Sequence, residues 1–276
     1  MWITNLFTKD WGFEMSIKVS FIISAIVAFC LSLFSFIFLP VLNCEKSEEE
    51  NEKKTFIQKM GLEAFVLFKQ RKMALFFIFS LMLGAALQLT NAYGDGFLQD
   101  ANVFPKDGWI NKLSTIILSI SQISETLFIL AIPIFMKKFG IKKVMLISMI
   151  AWVLRFALFG FSDNTTLGFV NIVASCIIYG MAFDFFNISG ALFVEQNTSS
   201  RIQSSAQGLF MLMTNGVGAV LGNIIAGIVI DTYFTTAEGK DWHGIWLSFA
   251  IYSLIVAILF AIFFKHKHDP KLEVKH

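Results

Sequence analysis

Residues 167–194 read LGFVNIVASCIIYGMAFDFFNISGALFV and contain one charged side chain, Asp184. A hydrocarbon core of about 30 Å is crossed by a helix of roughly 20 apolar residues, so this run predicts a transmembrane helix. Six further runs of about this length carry few or no charges. They are residues 19–39, 73–93, 113–136, 144–161, 205–230 and 244–264. The sequence therefore predicts an all-α integral membrane protein with seven transmembrane helices.

The composition agrees with a membrane protein. Hydrophobic residues make up 56% of the 276-residue chain and charged residues 15%, against roughly 25% charged residues in soluble domains. Seven spans leave no room for a large soluble domain, which excludes a secreted enzyme, a nucleic-acid-binding module and a disulfide scaffold. Cys30, Cys44 and Cys176 are expected to be free thiols. Their spacing is not that of metal ligands, and no cofactor is expected.

The basic residues are concentrated on one side of the predicted membrane. Successive segments between membrane spans lie on alternating sides of the membrane. On this basis, sixteen of the 22 Lys and Arg residues fall on that side. The positive-inside rule therefore predicts an external amino terminus and a cytoplasmic carboxyl terminus. Residues 1–18 do not form a signal peptide, because charges interrupt them. The predicted parts are an external segment (1–18), one transmembrane helix (19–42), a charged cytoplasmic linker (43–72), a six-helix bundle (73–266) and a cytoplasmic tail (267–276).

Three ionisable residues, Glu125, Arg155 and Asp184, lie inside predicted spans. Such a group costs about 2.5–3.5 kcal/mol at bilayer depth on insertion scales, so it faces the protein interior or water and indicates a function by default. A buried ion pair with a carboxylate is the alternative for Arg155. For Glu125 and Asp184 a functional role is favoured, because hydrogen-bonding residues accompany each of them.

Polar and aromatic residues recur at helical spacing beside these carboxylates. Three separate spans each present such a face. The faces comprise Gly84, Gln88, Asn91 and Asp95; Ser121, Gln122 and Glu125; and Tyr179, Phe183, Asp184 and Asn187. The simplest interpretation is one polar cavity at the middle of the membrane. The small residues Gly218 and Gly222, four apart on another span, indicate close helix packing.

The chemistry of these side chains favours an uncharged polar solute. Amides offer both donors and acceptors, carboxylates accept from hydroxyl groups, and aromatic faces suit a flat ring. A nucleoside has all three complementary features, and a sugar has two of them. A buried carboxyl group that binds and releases a proton makes a proton-coupled transporter the favoured class.

Several segments closely resemble the nucleoside:proton symporter family of the major facilitator superfamily, whose best-known members are bacterial nucleoside permeases. The resemblance covers about residues 61–268. Its motifs are GAALQLTNAYGD (84–95), SISQISETLFILAIPIF (119–135), FGIKKVMLISMIAWVLRFALF (139–159), YGMAFDFFNISGALFVE (179–195) and SSAQGLFMLMTNGVGAVLG (204–222).

The resemblance implies a fold, a substrate and a site. It implies that purine and pyrimidine nucleosides and protons are carried across the bacterial inner membrane by a multi-pass protein embedded in the lipid bilayer, with no nucleic acid bound. It implies ring stacking by Phe183 and places Glu125 and Asp184 as candidates for proton coupling. The implied nucleoside contacts are Gln88 and Asn91 on the family's seventh helix, Gln122 and Glu125 on the eighth, and Tyr179, Phe183 and Asp184 on the tenth.

Complete members of the family have twelve helices in two halves, with the substrate between them. The chain is expected to hold the carboxyl-terminal six-helix bundle and the helix before it. A missing amino-terminal half is then an expected partner, and the 276 residues alone are not expected to accumulate nucleoside.

Two alternatives remain open from the sequence. A major facilitator carrier for a sugar or another neutral polar solute would use a similar cavity. A seven-helix receptor fits the topology but leaves the polar faces of three helices without a role. A retinal protein needs a lysine in its last helix, and residues 244–264 contain none. An enzyme is not expected, because the sequence has no nucleophile–base constellation and no nucleotide-binding loop.

Overall fold

A computed structural model of the chain describes residues 13–39 and 61–266. The chain divides into two units, Met1–Thr55 and Phe56–His276. In the first unit, α1 (Phe13–Phe38) is a single 26-residue helix. The predicted external segment before residue 13, the linker up to residue 60 and the tail 267–276 lie outside the described residues.

The second unit is almost entirely helical. Its elements are a 3₁₀ helix (Leu62–Lys69), α2 (Arg71–Gln99), α3 (Trp109–Lys112), α4 (Ser114–Gly160), α5 (Thr166–Asn197), α6 (Gln203–Met211), a π-helix (Leu212–Gly218), α7 (Ala219–Val229), a second π-helix (Ile230–Phe234), a two-stranded hairpin of β1 (Thr235–Thr236) and β2 (Gly239–Lys240), and α8 (Trp242–Phe263). In the hairpin, antiparallel pairing sets Thr235 opposite Lys240. From α6 to the second π-helix the chain forms one span, Gln203–Phe234.

The described residues contain six helices long and apolar enough to cross a membrane, where the sequence predicts seven spans. The difference lies in α4, whose 47 residues cover two predicted spans. At Gly140 the backbone is not helical, with φ 77° and ψ 165°. A side chain disfavours positive φ, so a glycine suits this position. Residues 114–139 and 141–160 are thus two helical segments joined at the basic turn that the sequence predicts around Gly140.

The described end of the predicted linker is ordered. Residues 62–69 form a 3₁₀ helix, in which Ala64 and Leu67 are buried. The sequence LEAFVLFK in this helix is apolar at six of its eight positions. Ala64, Leu67 and Phe68 pack in or against the core of the second unit, whereas Leu62, Phe65 and Val66 are exposed. Most of the charged residues of the predicted linker lie outside the described residues.

Side-chain caps fix the start of α5 and of α8. Thr165 Oγ1 accepts a hydrogen bond from Gly168 N at 3.1 Å, and Asp241 Oδ1 accepts one from Gly244 N at 3.0 Å. Asp163 precedes α5 and accepts hydrogen bonds from the amide and the hydroxyl of Thr165. These bonds stabilise the ionised form, which lowers the pKa of Asp163 below its usual value. These hydrogen bonds fix the residues at which α5 and α8 begin.

α2 packs closely against the span Gln203–Phe234, as the small-residue pair predicts. A Cβ atom on Gly222 would lie 2.5 Å from Ala85 Cα, and one on Gly218 would lie 2.6 Å from the carbonyl oxygen of Leu81. Such separations are too short for any side chain, so the two backbones meet only because these residues are glycines. Lipid tails are as apolar as the side chains, so close packing of this kind drives helix association in membranes.

We therefore expect Gly222→Ala to destabilise the protein although alanine favours helices. Overpacking of a close contact costs about 1–3 kcal/mol, which lowers the unfolding midpoint by roughly 3–10 °C. Gly208→Ala is the matched control, because no atom lies within 4 Å of the Cβ it would add. Thermal unfolding of the two purified variants in detergent measures the difference. Equal midpoints would show that the contact between α2 and this span tolerates a methyl group.

Candidate functional site

The first half of α4 meets α5 through a glycine on α5. A Cβ atom on Gly180 would lie 2.5 Å from the carbonyl oxygen of Ser124 and 2.6 Å from Glu125 N. The Ser124 hydroxyl also donates a hydrogen bond to the Ile177 carbonyl. The backbone of Glu125 is consequently held against the turn of α5 that carries Tyr179 and Asp184.

α5 supplies two aromatic rings and a buried carboxyl group. The Tyr179 and Phe183 rings are stacked, with centroids 5.6 Å apart and planes 23° from parallel. Tyr179 is buried and Phe183 is half-buried. Asp184 is only 5% exposed, and its Oδ2 atom has no hydrogen-bond partner among the described residues. On the other side of α5, the Ser148 hydroxyl donates to the Ala182 carbonyl at 2.5 Å.

The two predicted carboxylates lie near each other. Glu125, which is half-buried, interacts electrostatically with both Asp184 and Tyr179. The structure thus brings together Glu125, Tyr179, Phe183 and Asp184 from two predicted spans.

α2 adds an amide pair to this group. Asn91 Nδ2 donates a hydrogen bond to Gln88 Oε1 at 3.2 Å, and the Asn91 amide interacts with the Tyr179 hydroxyl. Asn91 is exposed and Gln88 is half-buried, so both retain polar atoms for a ligand. Asp95, on the same predicted face, is engaged elsewhere: it accepts hydrogen bonds from Gln99 Nε2 at 2.7 Å and Ser114 Oγ at 3.1 Å.

Gln122 is the predicted site residue that the structure leaves apart. It is exposed on α4, three residues before Glu125. Its backbone carbonyl accepts from Thr126 Oγ1 at 3.0 Å. Within the described part of the chain its side-chain amide makes no hydrogen bond to the other predicted site residues. Its place on the face of Glu125 makes it accessible to a solute that contacts that carboxylate.

Arg155 has neutral partners in place of the ion pair that the sequence leaves open. It is 2% exposed, and its Nε donates to Thr90 Oγ1 at 3.2 Å while Nη1 donates to the Ser175 carbonyl at 2.8 Å. No carboxylate among residues 13–39 and 61–266 lies within 4.0 Å of the guanidinium. The face of the Tyr179 ring lies 4.3 Å from the guanidinium carbon. Arg155 therefore contacts the site through the ring of Tyr179.

The sequence did not predict the residues that contact Tyr179, Arg155 and the helices around the site. Thr90, Ser124, Ser175 and Trp152 are common residue types on apolar helices, and none of them carries a signal by itself. The Trp152 ring meets Tyr179 edge to face at 5.8 Å. Two features of the sequence could have indicated part of this group. Thr90 is adjacent to Asn91, and the small residue Gly180 is adjacent to Tyr179.

The described residues contain no group of three or more His, Cys, Asp and Glu side chains suited to a metal ion. Cys30 and Cys176 are free thiols, and Cys44 lies outside the described residues. The chemistry that the site offers is hydrogen bonding through amides and carboxyl groups, stacking against aromatic rings, and proton uptake by Glu125 or Asp184.

Long apolar helices around a group of polar residues define an all-α integral membrane protein. The model of the family described as nucleoside H+ symporter matches residues 5–269. The chain therefore belongs to the nucleoside:proton symporter family, which confirms the resemblance predicted from its motifs. Membership also separates the chain from sugar carriers and from seven-helix receptors.

Individual relatives agree with the family assignment. The chain is 52% identical over 230 residues to the xanthosine permease of Escherichia coli (strain K12), covering 83% of this chain and 54% of that protein. It is 48% identical over 271 residues to the nucleoside permease NupG of the same organism, covering 97% of this chain and 62% of that protein. The chain thus spans a little over half the length of these curated relatives.

Solved structures show that the fold is shared. A crystal structure of the nucleoside transporter NupG has a TM-score of 0.75 and 46% sequence identity, covering 96% of this chain and 64% of that chain. A mutant of the same transporter has a TM-score of 0.76 and 45% identity, covering 92% and 65%. The all-α fold of the major facilitator type is therefore confirmed, and the chain is a multi-pass membrane protein of the kind found in the bacterial inner membrane.

Proposed function

We propose that this chain forms the nucleoside-binding, proton-coupled bundle of a nucleoside:proton symporter. The observation that carries the proposal is the close packing of the Glu125 backbone against Gly180, on the segment of α5 that carries the stacked rings of Tyr179 and Phe183 and the buried Asp184. A carboxylate pair alone would suit a cation, and an aromatic pair alone would suit any flat ring. Their combination suits a planar base attached to a ribose, together with a proton.

The substrate contacts divide by chemistry. Phe183 is half-buried and presents its ring to the base, while Tyr179 supports it from behind. Gln88, Asn91 and Gln122 offer donors and acceptors to the edge of the base, and Glu125 accepts from ribose hydroxyl groups. Because amides can both donate and accept, the same residues serve purine and pyrimidine nucleosides.

Asp184 and Glu125 carry the coupling to protons. Asp184 is 5% exposed and Glu125 is half-buried, so two ionised carboxylates in the site carry a cost of lost hydration inside the membrane. A bound proton removes one of these charges, so the loaded bundle faces a lower cost when it changes its exposure from one side of the membrane to the other. Coupling follows because the nucleoside and the proton occupy neighbouring groups.

The membrane orientation belongs to the same proposal. The amino terminus lies outside and the carboxyl terminus in the cytoplasm, with α1 (Phe13–Phe38) as a separate helix and the helices from α2 to α8 as the bundle. The support is the placement of basic residues, including Lys137, Lys138, Lys142 and Lys143 on either side of Gly140. A second six-helix half faces the polar site in the working transporter.

Uptake of labelled uridine tests the function. The gene is expressed with its native flanking coding sequence in bacterial cells that lack their own nucleoside transporters, and cells with an empty vector are the control. We expect uptake that a protonophore abolishes and that excess adenosine or uridine inhibits, whereas sugars leave it unchanged. Uptake inhibited by a sugar but not by nucleosides, or insensitive to the protonophore, would contradict the proposal.

A further inference from the structure

Among residues 13–39 and 61–266, Arg155 is the one buried charged residue that the proposed transport chemistry does not use. Its guanidinium is 2% exposed, and its partners among the described residues are the Thr90 hydroxyl, the Ser175 carbonyl, the Cys176 thiol and aromatic rings. Burial removes the hydration of the guanidinium, and no carboxylate partner in the described part of the chain compensates for that loss. Arg155 therefore carries a free-energy cost in the folded protein. A simple packing role would be served by an apolar side chain at no such penalty.

The contacts of Arg155 converge on the substrate face. Thr90, which accepts from Nε, immediately precedes Asn91 on α2. Ser175, whose carbonyl accepts from Nη1, lies one turn before Tyr179 on α5, and its hydroxyl donates back to the Arg155 carbonyl at 3.1 Å. The guanidinium therefore joins α2, the second half of α4, and α5 at one level of the bundle.

Tyr179 is the link between Arg155 and the site. One face of its ring lies 4.3 Å from the guanidinium carbon, which is a short cation–π distance. The same side chain stacks on Phe183 and interacts with Asn91, Glu125 and Asp184. Trp152 and Phe159 also lie beside the guanidinium, at 5.9 and 5.3 Å, so the cation is enclosed by rings.

We propose that Arg155 is a positioning residue for nucleoside binding: it fixes the Tyr179 ring through its cation–π contact and, through Thr90, aligns Asn91 with that ring. Arg155 does not touch the nucleoside. This inference rests on the proposed function, since it assigns Tyr179 and Asn91 to the nucleoside site.

A double-mutant cycle on nucleoside affinity tests the inference. The dissociation constant of uridine is measured by titration calorimetry on the purified transporter, with Arg155→Gln made in three backgrounds: wild type, Tyr179→Phe and Tyr179→Leu. In the wild type and in Tyr179→Phe, which keeps the ring, we expect Arg155→Gln to raise the dissociation constant about tenfold. In Tyr179→Leu, where no ring remains to be held, we expect less than threefold.

Two further variants separate positioning from folding. Arg155→Lys keeps a cation beside the ring and should restore most of the affinity, even though it loses the planar hydrogen-bonding fork. Arg201→Gln removes an exposed arginine and should leave the affinity unchanged. If Arg155→Gln weakens binding equally in all three backgrounds, or if it leaves binding unchanged, the positioning role is wrong. If the wild-type transporter binds no nucleoside, the proposed function itself fails.

Discussion

Replacing Asp184 by asparagine should abolish proton-driven nucleoside accumulation, with a loss on the order of 100-fold, because the amide has nearly the shape of the carboxyl group but cannot bind a proton. Asp184 is buried, and its Oδ2 atom has no hydrogen-bond partner in the described chain. The amide is uncharged, so the burial that makes the ionised carboxylate costly leaves Asp184→Asn folded. The variant is thus expected to resemble a permanently protonated site.

Two transport measurements distinguish a loss of proton coupling from a loss of nucleoside movement across the membrane. In proteoliposomes, uptake driven by an imposed pH gradient should be lost, whereas exchange of labelled for unlabelled uridine across the membrane should persist. Asp107→Asn is the matched control, since Asp107 is fully exposed and its one ion pair with a described residue is that with Lys112 at 3.8 Å. Full gradient-driven accumulation by Asp184→Asn would exclude Asp184 from coupling and leave Glu125 as the candidate.

Glu125→Gln distinguishes the two carboxyl groups. Glu125 is half-buried and lies beside Tyr179, so it can contact a ribose hydroxyl as well as a proton. Loss of both exchange and accumulation in Glu125→Gln, beside retained exchange in Asp184→Asn, would place substrate contact at Glu125 and coupling at Asp184. Within this proposal each carboxyl group therefore has its own measurable signature.

The parts of the fold that follow from hydropathy could be predicted from the sequence. A charged residue is costly inside a membrane, so apolar runs mark the helices and their breaks. The run 113–161 shows the limit of this rule, because the two predicted spans are separated only by the non-helical backbone at Gly140 and form one element. The positive φ of Gly140 is a local property that its basic surroundings indicate only indirectly.

The site could be predicted only where cost and spacing both point to it. Asp184 and Glu125 stand out because burying them is expensive, and Gln88 and Asn91 because they share a face. The hydrogen bonds of Arg155 to Thr90 and Ser175 depend on how α2, α4 and α5 are rotated against one another, which no single segment encodes. For the same reason Asp95 shares a predicted face with Asn91 but bonds to Gln99 and Ser114.

Replacing Phe183 by leucine should weaken nucleoside binding strongly, because it removes an aromatic face and keeps an apolar side chain of similar reach. Stacking of a base on an aromatic ring is worth about 1–3 kcal/mol, which corresponds to roughly 5- to 150-fold in the dissociation constant. Phe183 is half-buried and already stacked on Tyr179, so its orientation is fixed before the ligand arrives. Phe183→Tyr keeps the ring and should keep most of the affinity.

The size of the base provides a second test of the same contact. A purine offers a larger face than a pyrimidine, so Phe183→Leu should raise the dissociation constant of adenosine by a larger factor than that of uridine. Phe161→Leu, at an exposed ring at the end of α4, is the control and should change neither. Competition binding of both nucleosides to the purified variants gives the factors. An equal and small change for adenosine and uridine would mean that the base does not lie on Phe183, and Tyr179 would then be the ring to test.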